Sequence, residues 1–237
     1  MQLDQVRIVM VNPSHSGNIG AAARAMKNMG LQKLYLVGPQ QFPDQVALTR
    51  ASGADDILEH AVVVDDLASA LDGVQLVFGT SARSRHLEWP VVNARECAQQ
   101  VVSSTLSCAI VFGRENSGLT NEELAMCQYH LQIPTVEHFS SLNLSQAIQV
   151  VAYELRMAAL QGLPVESDNM TEEAIATFDN TNGFYRHLES TLGEIGYLNP
   201  EQPKMLMKRL RRLFHRASLR PTEIHILRGI LSKVELL

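Results

Sequence analysis

Four short segments of the 237-residue sequence concentrate residue types that bind or activate a ligand. In the first, residues 12–30 (NPSHSGNIGAAARAMKNMG), Gly17, Gly20, Ala21, Ala22 and Ala23 open a predicted helix. Free backbone N–H groups and the lack of bulk there would admit a phosphate or ribose. Arg24 follows Asn18 by six residues, less than two helical turns, so both are expected near one opening. Neither G-x-G-x-x-G nor G-x-x-x-x-G-K-[ST] occurs, and tight packing of a small-residue helix on a sheet accounts for the segment equally well. The second segment, residues 79–90 (GTSARSRHLEWP), sets the hydroxyls of Thr80 and Ser81 beside Arg83 and Arg85 directly after an apolar run. Such a set suits a polar cofactor edge or an RNA phosphate, with a solvated loop as the alternative. In the third, residues 111–124 (VFGRENSGLTNEEL), Gly113 and Gly118 bracket Arg114, Glu115, Asn116 and Ser117, which suggests close backbone approach to a ligand. The fourth, residues 132–147 (QIPTVEHFSSLNLSQA), enters a helix through Ser140, Ser141, Leu142 and Asn143, and simple helix capping explains part of it.

Positioning these segments requires strands that end where they begin. Aliphatic runs at 6–11, 34–37, 62–64, 76–78, 108–112 and 131–133 alternate with helical patterns, the signature of a parallel sheet covered by helices. Ligands of such sheets sit beyond the strands' carboxyl ends. Helices are expected to start near Asn18, Asp65, Asn93 and Thr120, with Thr120 and Glu123 spaced as a capping box. A further helix runs from about Asn143 to Leu160, its stripe formed by Leu144, Ala147, Ile148, Val151 and Leu155. Polar residues 161–173 (QGLPVESDNMTEE) mark the expected domain boundary, giving an α/β domain at 1–163 and a helical extension at 164–237. Three helical patterns follow, at 174–195, 204–217 and 222–234, the last with Ile224, Leu227, Ile230, Leu231 and Val234 on one side.

Composition excludes several classes. Apolar residues make up 46 % and no apolar stretch approaches the roughly eighteen needed to span a bilayer, so a globular protein without a membrane anchor is expected. Three cysteines, Cys97, Cys108 and Cys127, suit neither a disulfide framework nor a C-x-x-C metal site, which fits a reducing cytoplasm. Eight scattered histidines show no metal-ligand spacing, no G-x-S-x-G elbow is present, and a His138 pairing with Ser140 or Ser141 has nothing else to support it. The net charge of −5 argues mildly against nucleic acid, yet residues 204–237 hold nine basic and two acidic side chains. On a helical projection Lys204, Lys208, Arg211, Arg212 and His215 fall on one face, and Leu206, Leu210, Leu213, Phe214 and Ala217 on the other. That basic face suits an RNA backbone, a solvated amphipathic helix being the alternative.

Taken together, the segments resemble the SPOUT superfamily of RNA methyltransferases, in its TrmH-like branch of ribose 2′-O-methyltransferases. N-I-G-A-A-A-R at 18–24 matches the first family motif, FGRENSGL at 112–119 the second, and Ile133-Pro134 with SSLNLSQA at 140–147 the third. With TSARSR at 80–85, FGRE and a basic helical end, the pattern is similar to the TrmJ group of tRNA methyltransferases, which act on nucleotide 32, the first of the anticodon loop. The resemblance implies an α/β fold with a SPOUT-type parallel sheet and a C-terminal trefoil knot, followed by a small all-helical extension. It implies a homodimer whose active site uses both chains, and S-adenosylmethionine held by Thr80, Ser81, Ala82, Gly113, Ile133, Ser140, Ser141 and Leu142. Asn18 and Asn143 lie nearby, with Glu115 supporting the motif, and Arg24 is the catalytic position. The tRNA partner is expected to meet Asn18, Arg83, Arg85, Arg114, Lys204, Lys208, Arg211 and Arg212. Two other classes compete: a nicotinamide oxidoreductase, which lacks its glycine fingerprint here, and a non-catalytic RNA-binding module, which leaves the cofactor-type loops unexplained.

Overall fold

The computed structural model describes residues 3–82, 89–161, 174–199 and 205–236. Arg83, Arg85 and Lys204, expected at the RNA, lie outside the described residues. Among the described residues no helix is long and apolar enough to cross a membrane. The chain divides into two compact units, Met1–Leu71 with Leu76–Ser167, and Asp72–Gln75 with Asp168–Leu237.

In the first unit a parallel sheet is built from β1 (Val6–Val11), β2 (Lys33–Val37), β3 (Val62–Val64), β4 (Leu76–Thr80), β5 (Val91–Val92), β6 (Cys108–Phe112) and β7 (Tyr129–Leu131). Their order is β3-β2-β1-β6-β4-β7-β5, and every pairing is parallel. All five residues of β6 are buried, the pattern of a strand covered on both faces. From β1 the chain builds outward through β2 to β3, then crosses over to β4, and β6 later inserts between β1 and β4. The order therefore reverses beside β1 and β6, where a doubly wound sheet leaves a crevice at the carboxyl ends of its strands.

Two details depart from expectation. The strand expected at 131–133 is Tyr129–Leu131, because Tyr129 and His130 pair with Phe78 and Gly79 and hold aromatic stacks. Tyr129 lies 5.2 Å from Phe78, and His130 lies 5.2 Å from Trp89. Beyond Leu131 the chain leaves the sheet, and the two-residue β5 that flanks β7 was too short to carry a periodic signal.

Helices α1 (Ser16–Met29), α2 (Gln45–Ala51), α3 (Asp55–Glu59), α4 (Leu67–Leu71), α5 (Ala94–Ser103), α6 (Asn121–Leu124) and α7 (Leu144–Leu160) join the strands. Asn93 and Thr120 each close a capping box, with Glu96 and Glu123 as partners. Asn143 caps α7, accepting from the N–H groups of Ser145 and Gln146. The small residues of α1 serve packing: Ala22 and Ala23 are fully buried, and a Cβ on Gly20 would fall 2.0 Å from the Ala47 carbonyl oxygen in α2. Of the two readings of that segment, close helix packing holds at Gly20.

The second unit packs α8 (Phe178–Glu194), α9 (Leu206–Ala217) and α10 (Pro221–Val234) around Phe184, Tyr185, Leu188, Leu219 and Ile224. The packed face of α9 is Met207, Leu210 and Phe214, with Phe214 edge-on to Phe184 at 4.9 Å. Counting Met207 turns the expected stripe: Leu213 is exposed, while Arg211 lies over the Tyr185 ring at 4.6 Å. Burial lowers the pKa of Arg211, and burial followed by the nearby Arg211 charge brings His215 down to about 4, so His215 is neutral at pH 7. Neither belongs to an outward basic face. Arg209 and Arg216 are the exposed basic residues of the helix, and Lys208 and Arg212 are half-buried. On α10, Ile230 is exposed rather than packed with Ile224.

Candidate functional site

At the carboxyl ends of β4, β6 and β7 the following loops converge with the start of α7 on a cavity of about 200 Å³. Thr80, Ser81, Ala82, Gly113, Ile133, Ser140, Ser141 and Leu142, expected together from three separate segments of chain, all line it. So do Asn116, Ser117, Leu119, Leu131 and Leu144, which the sequence reading did not assign to a pocket wall. Hydroxyl residues Thr80, Ser81, Ser140 and Ser141 share the lining with aliphatic Leu131, Ile133 and Leu142, a mixture that suits a ligand with both apolar and polar parts. His138 is exposed and is not part of this lining, so the geometry gives a serine–histidine pairing no support.

The loop after β6 folds on itself. Arg114 N–H donates to the Gly118 carbonyl at 3.2 Å and Gly118 N–H returns to Arg114 at 2.9 Å. This closure requires glycine at 113, where a Cβ would fall 2.1 Å from the Gly118 carbonyl carbon. Close backbone approach was legible from the glycine spacing, but its first partner is the loop itself.

Arg114 and Glu115 then reach in different directions. The Arg114 guanidinium donates to both Glu123 oxygens at 2.9 and 3.0 Å and to Asn12 Oδ1 at 2.5 Å, so the arginine expected at the RNA is engaged within the chain. Glu115 accepts from Ser14 N–H at 3.1 Å, Ser14 Oγ at 2.9 Å and Asn18 Nδ2 at 2.9 Å. Asn18 Oδ1 in turn accepts from Asn143 Nδ2 at 3.0 Å. One polar chain thus links the loop after β1, the start of α1, the loop after β6 and the cap of α7. Asn18 and Asn143, anticipated beside the pocket, are joined through it to Glu115.

Arg24 lies apart from that chain. It is exposed, it is not among the cavity-lining residues, and it has no hydrogen-bond partner among the described residues. Six residues advance an α-helix by about 600°, leaving Arg24 roughly 120° around α1 from Asn18, so the two do not share an opening.

Burial alone would raise the Glu115 carboxyl, but the donors of Asn18 and Ser14 outweigh it and hold the pKa below its ordinary 4.5. A depressed folded-state pKa stabilises the fold above the unfolded value, and the contribution disappears as pH falls through the folded one. Wild type is therefore expected to melt above Glu115→Gln at neutral pH, the two curves converging as pH drops below about 4.5; calorimetry across that range measures it.

With this geometry in place, comparison with known proteins is informative. Residues 5–153 match the family model of the SpoU rRNA Methylase family, and residues 179–236 match that of the tRNA methyltransferase TrmJ C-terminal domain. The chain is 51 % identical over 243 aligned positions to the tRNA (cytidine/uridine/adenosine-2′-O-)-methyltransferase TrmJ of Pseudomonas aeruginosa, covering 98 % of this chain and 95 % of that one. It is similar to the crystal structure of TrmJ from Z. mobilis, with a TM-score of 0.86, 34 % identity, and 97 % and 98 % of the two chains covered. The SpoU methyltransferase AviRb from Streptomyces viridochromogenes, solved in complex with the cofactor AdoMet, shares the fold at a TM-score of 0.56 and 21 % identity over 67 % and 62 % of the chains. With one family model over residues 5–153, a second over 179–236 and a 51 % identical relative over 98 % of its length, the chain belongs to the SpoU methylase family, in its TrmJ group of tRNA methyltransferases.

Proposed function

We propose that this protein transfers a methyl group from S-adenosylmethionine to the ribose 2′-hydroxyl of nucleotide 32 in the tRNA anticodon loop, as a cytoplasmic homodimer. The observation that carries the reading is the cavity: residues from the ends of β4, β6 and β7 and from the start of α7 meet there with hydroxyls and apolar carbon interleaved. Thr80, Ser81, Ala82, Gly113, Ile133, Ser140, Ser141 and Leu142 would hold the cofactor, with the tight Gly113–Gly118 turn as one wall. The reading includes the C-terminal trefoil knot that the family resemblance implies. When bound, S-adenosylmethionine supplies an electrophilic methyl group on a sulfonium.

The chain's own task is to orient the 2′-oxygen for in-line attack and to help its proton leave. Arg24 is the residue proposed for it. A guanidinium stays protonated at neutral pH, so an arginine is a poor base. It instead positions the neighbouring phosphate and stabilises developing alkoxide, the proton passing to a phosphate oxygen or water. Because Arg24 is exposed and absent from its own chain's cavity lining, the proposed homodimer supplies the missing piece: Arg24 of one chain serves the cavity of the other. The exposed Val150, Tyr153 and Leu160 on α7 offer apolar surface for that association.

S-adenosylmethionine is expected to raise the melting temperature and NADH to leave it unchanged, since only a ligand of the native state stabilises it. A rise with NADH alone would favour an oxidoreductase. Mapping methylated riboses in tRNA from cells with and without the gene tests the site: loss at nucleotide 32 supports the assignment, and loss elsewhere in tRNA or in rRNA overturns it.

A further inference from the structure

The clamp on the loop after β6 points to a role for Arg114 that its charge conceals. Arg114 and Glu123 form a two-point ion pair at 2.9 and 3.0 Å, with their side chains 30 % and 15 % exposed. Glu123 Oε2 also accepts Thr120 N–H at 2.7 Å, so the carboxylate is fixed by the start of α6 before it meets the arginine. On the other side Arg114 donates to Asn12, the first residue beyond β1, which is bonded to the end of β2: its N–H donates to the Val37 carbonyl at 2.7 Å and its Nδ2 to the Gly38 carbonyl at 3.2 Å. Asn12 holds a left-handed backbone with φ of 45°. The guanidinium therefore ties the loops that follow β1 and β6 to the start of α6, and Asn12 extends the link to the end of β2. The next residue, Glu115, is the hub that receives Ser14 and Asn18.

We propose that Arg114 is a positioning residue for methyl transfer, acting through Glu115 and Asn18, and that it does not bind RNA. This rests on the methyltransferase reading above. The bidentate geometry explains why the residue is arginine: lysine keeps the charge but cannot meet both Glu123 oxygens and Asn12 at once. Arg114 and Glu115 themselves line the cavity, and Arg114 also reaches the Gly118 carbonyl at 3.5 Å. The Gly113–Gly118 turn is nonetheless closed by its own backbone pair, so the backbone of the cofactor wall is expected to survive loss of the clamp, and the register of Glu115 against α1 is not.

The test uses full-length Arg114→Lys, Arg114→Ala, Glu123→Gln and Asn12→Gly, the last keeping the left-handed backbone while deleting the acceptor. Turnover on tRNA, tRNA affinity at several salt concentrations, and the melting shift given by S-adenosylmethionine are measured for each. Arg114→Lys and Glu123→Gln are expected to lower kcat about 100-fold, as displacement by about 1 Å does. Their tRNA dissociation constants and salt slopes should match wild type, with the cofactor shift retained, and Asn12→Gly should show the same pattern more weakly. A direct RNA contact makes opposite predictions. Arg114→Ala would then lose affinity and about one unit of salt slope, with Lys restoring both, and Glu123→Gln would free the arginine and tighten binding. Either result overturns the proposal, as does a loss of the cofactor shift in the variants. Failure of the methyltransferase reading is seen separately, as absent turnover in wild type, and removes the positioning role with it.

Discussion

Replacing Arg24 by alanine is expected to reduce methylation of tRNA by about 100- to 1,000-fold while S-adenosylmethionine still raises the melting temperature as in wild type. Two observations separate the effects. Arg24 is exposed and is absent from the cavity lining, so its removal leaves the proposed cofactor wall untouched. It also has no hydrogen-bond partner among the described residues, so no hydrogen bond to them is lost. On the proposed assignment what disappears is a cation at the reacting oxygen, and removing one such donor typically costs about 100- to 1,000-fold. Arg24→Lys should recover only part of the rate, because an ammonium cannot orient a phosphate through two parallel hydrogen bonds. The shared-site arrangement adds a complementation test. Mixing Arg24→Ala chains with Gly113→Val chains, each inactive alone, should restore activity, since a mixed dimer contains one intact cavity facing one intact arginine. Near-wild-type turnover of Arg24→Ala refutes its role, and absence of complementation refutes the sharing.

How much of this was legible before folding differs from element to element. The runs at 6–11 and 108–112 became β1 and β6 residue for residue, because strands covered on both faces are apolar nearly throughout, half-buried Arg7 being the exception in β1. Thr120 and Asn143 were readable as caps because a cap is a local contact. The cavity's glycine and hydroxyl loops were readable as types, but their meeting depends on contacts such as Asn143 with Asn18, 125 residues apart. No periodicity carries that information. Charge misled where folding supplied a partner: Arg114 reads as a free cation until Glu123 and Asn12 are brought to it. Arg211 reads as surface until Met207 is counted in the stripe, which turns α9 and lays the guanidinium on Tyr185. The same spacing that correctly placed Glu123 in a capping box was silent about the second bond the carboxylate makes.

Truncation after Leu163 is expected to weaken tRNA binding at least about 100-fold at moderate salt, to flatten its salt dependence, and to leave S-adenosylmethionine binding nearly unchanged. Residues 204–237 hold nine basic and two acidic side chains, and each phosphate neutralised by such a cation adds roughly 0.7–0.9 to the slope of log affinity against log salt. Removing a whole unit changes much besides charge, so point variants must carry the assignment to particular residues. Arg209 and Arg216 are exposed on α9, and their replacement by alanine should lower both affinity and slope without moving the melting temperature. Arg211 should behave in the reverse way. Its guanidinium lies 4.6 Å from the Tyr185 ring centre, so Arg211→Ala removes a packed contact and lowers the melting temperature, with no slope change beyond that caused by unfolding. Equal tRNA affinity of truncated and full-length protein at matched salt would refute the RNA-binding role of the helical unit. A melting temperature unmoved by Arg211→Ala, together with a reduced slope, would instead return that arginine to the RNA-facing surface.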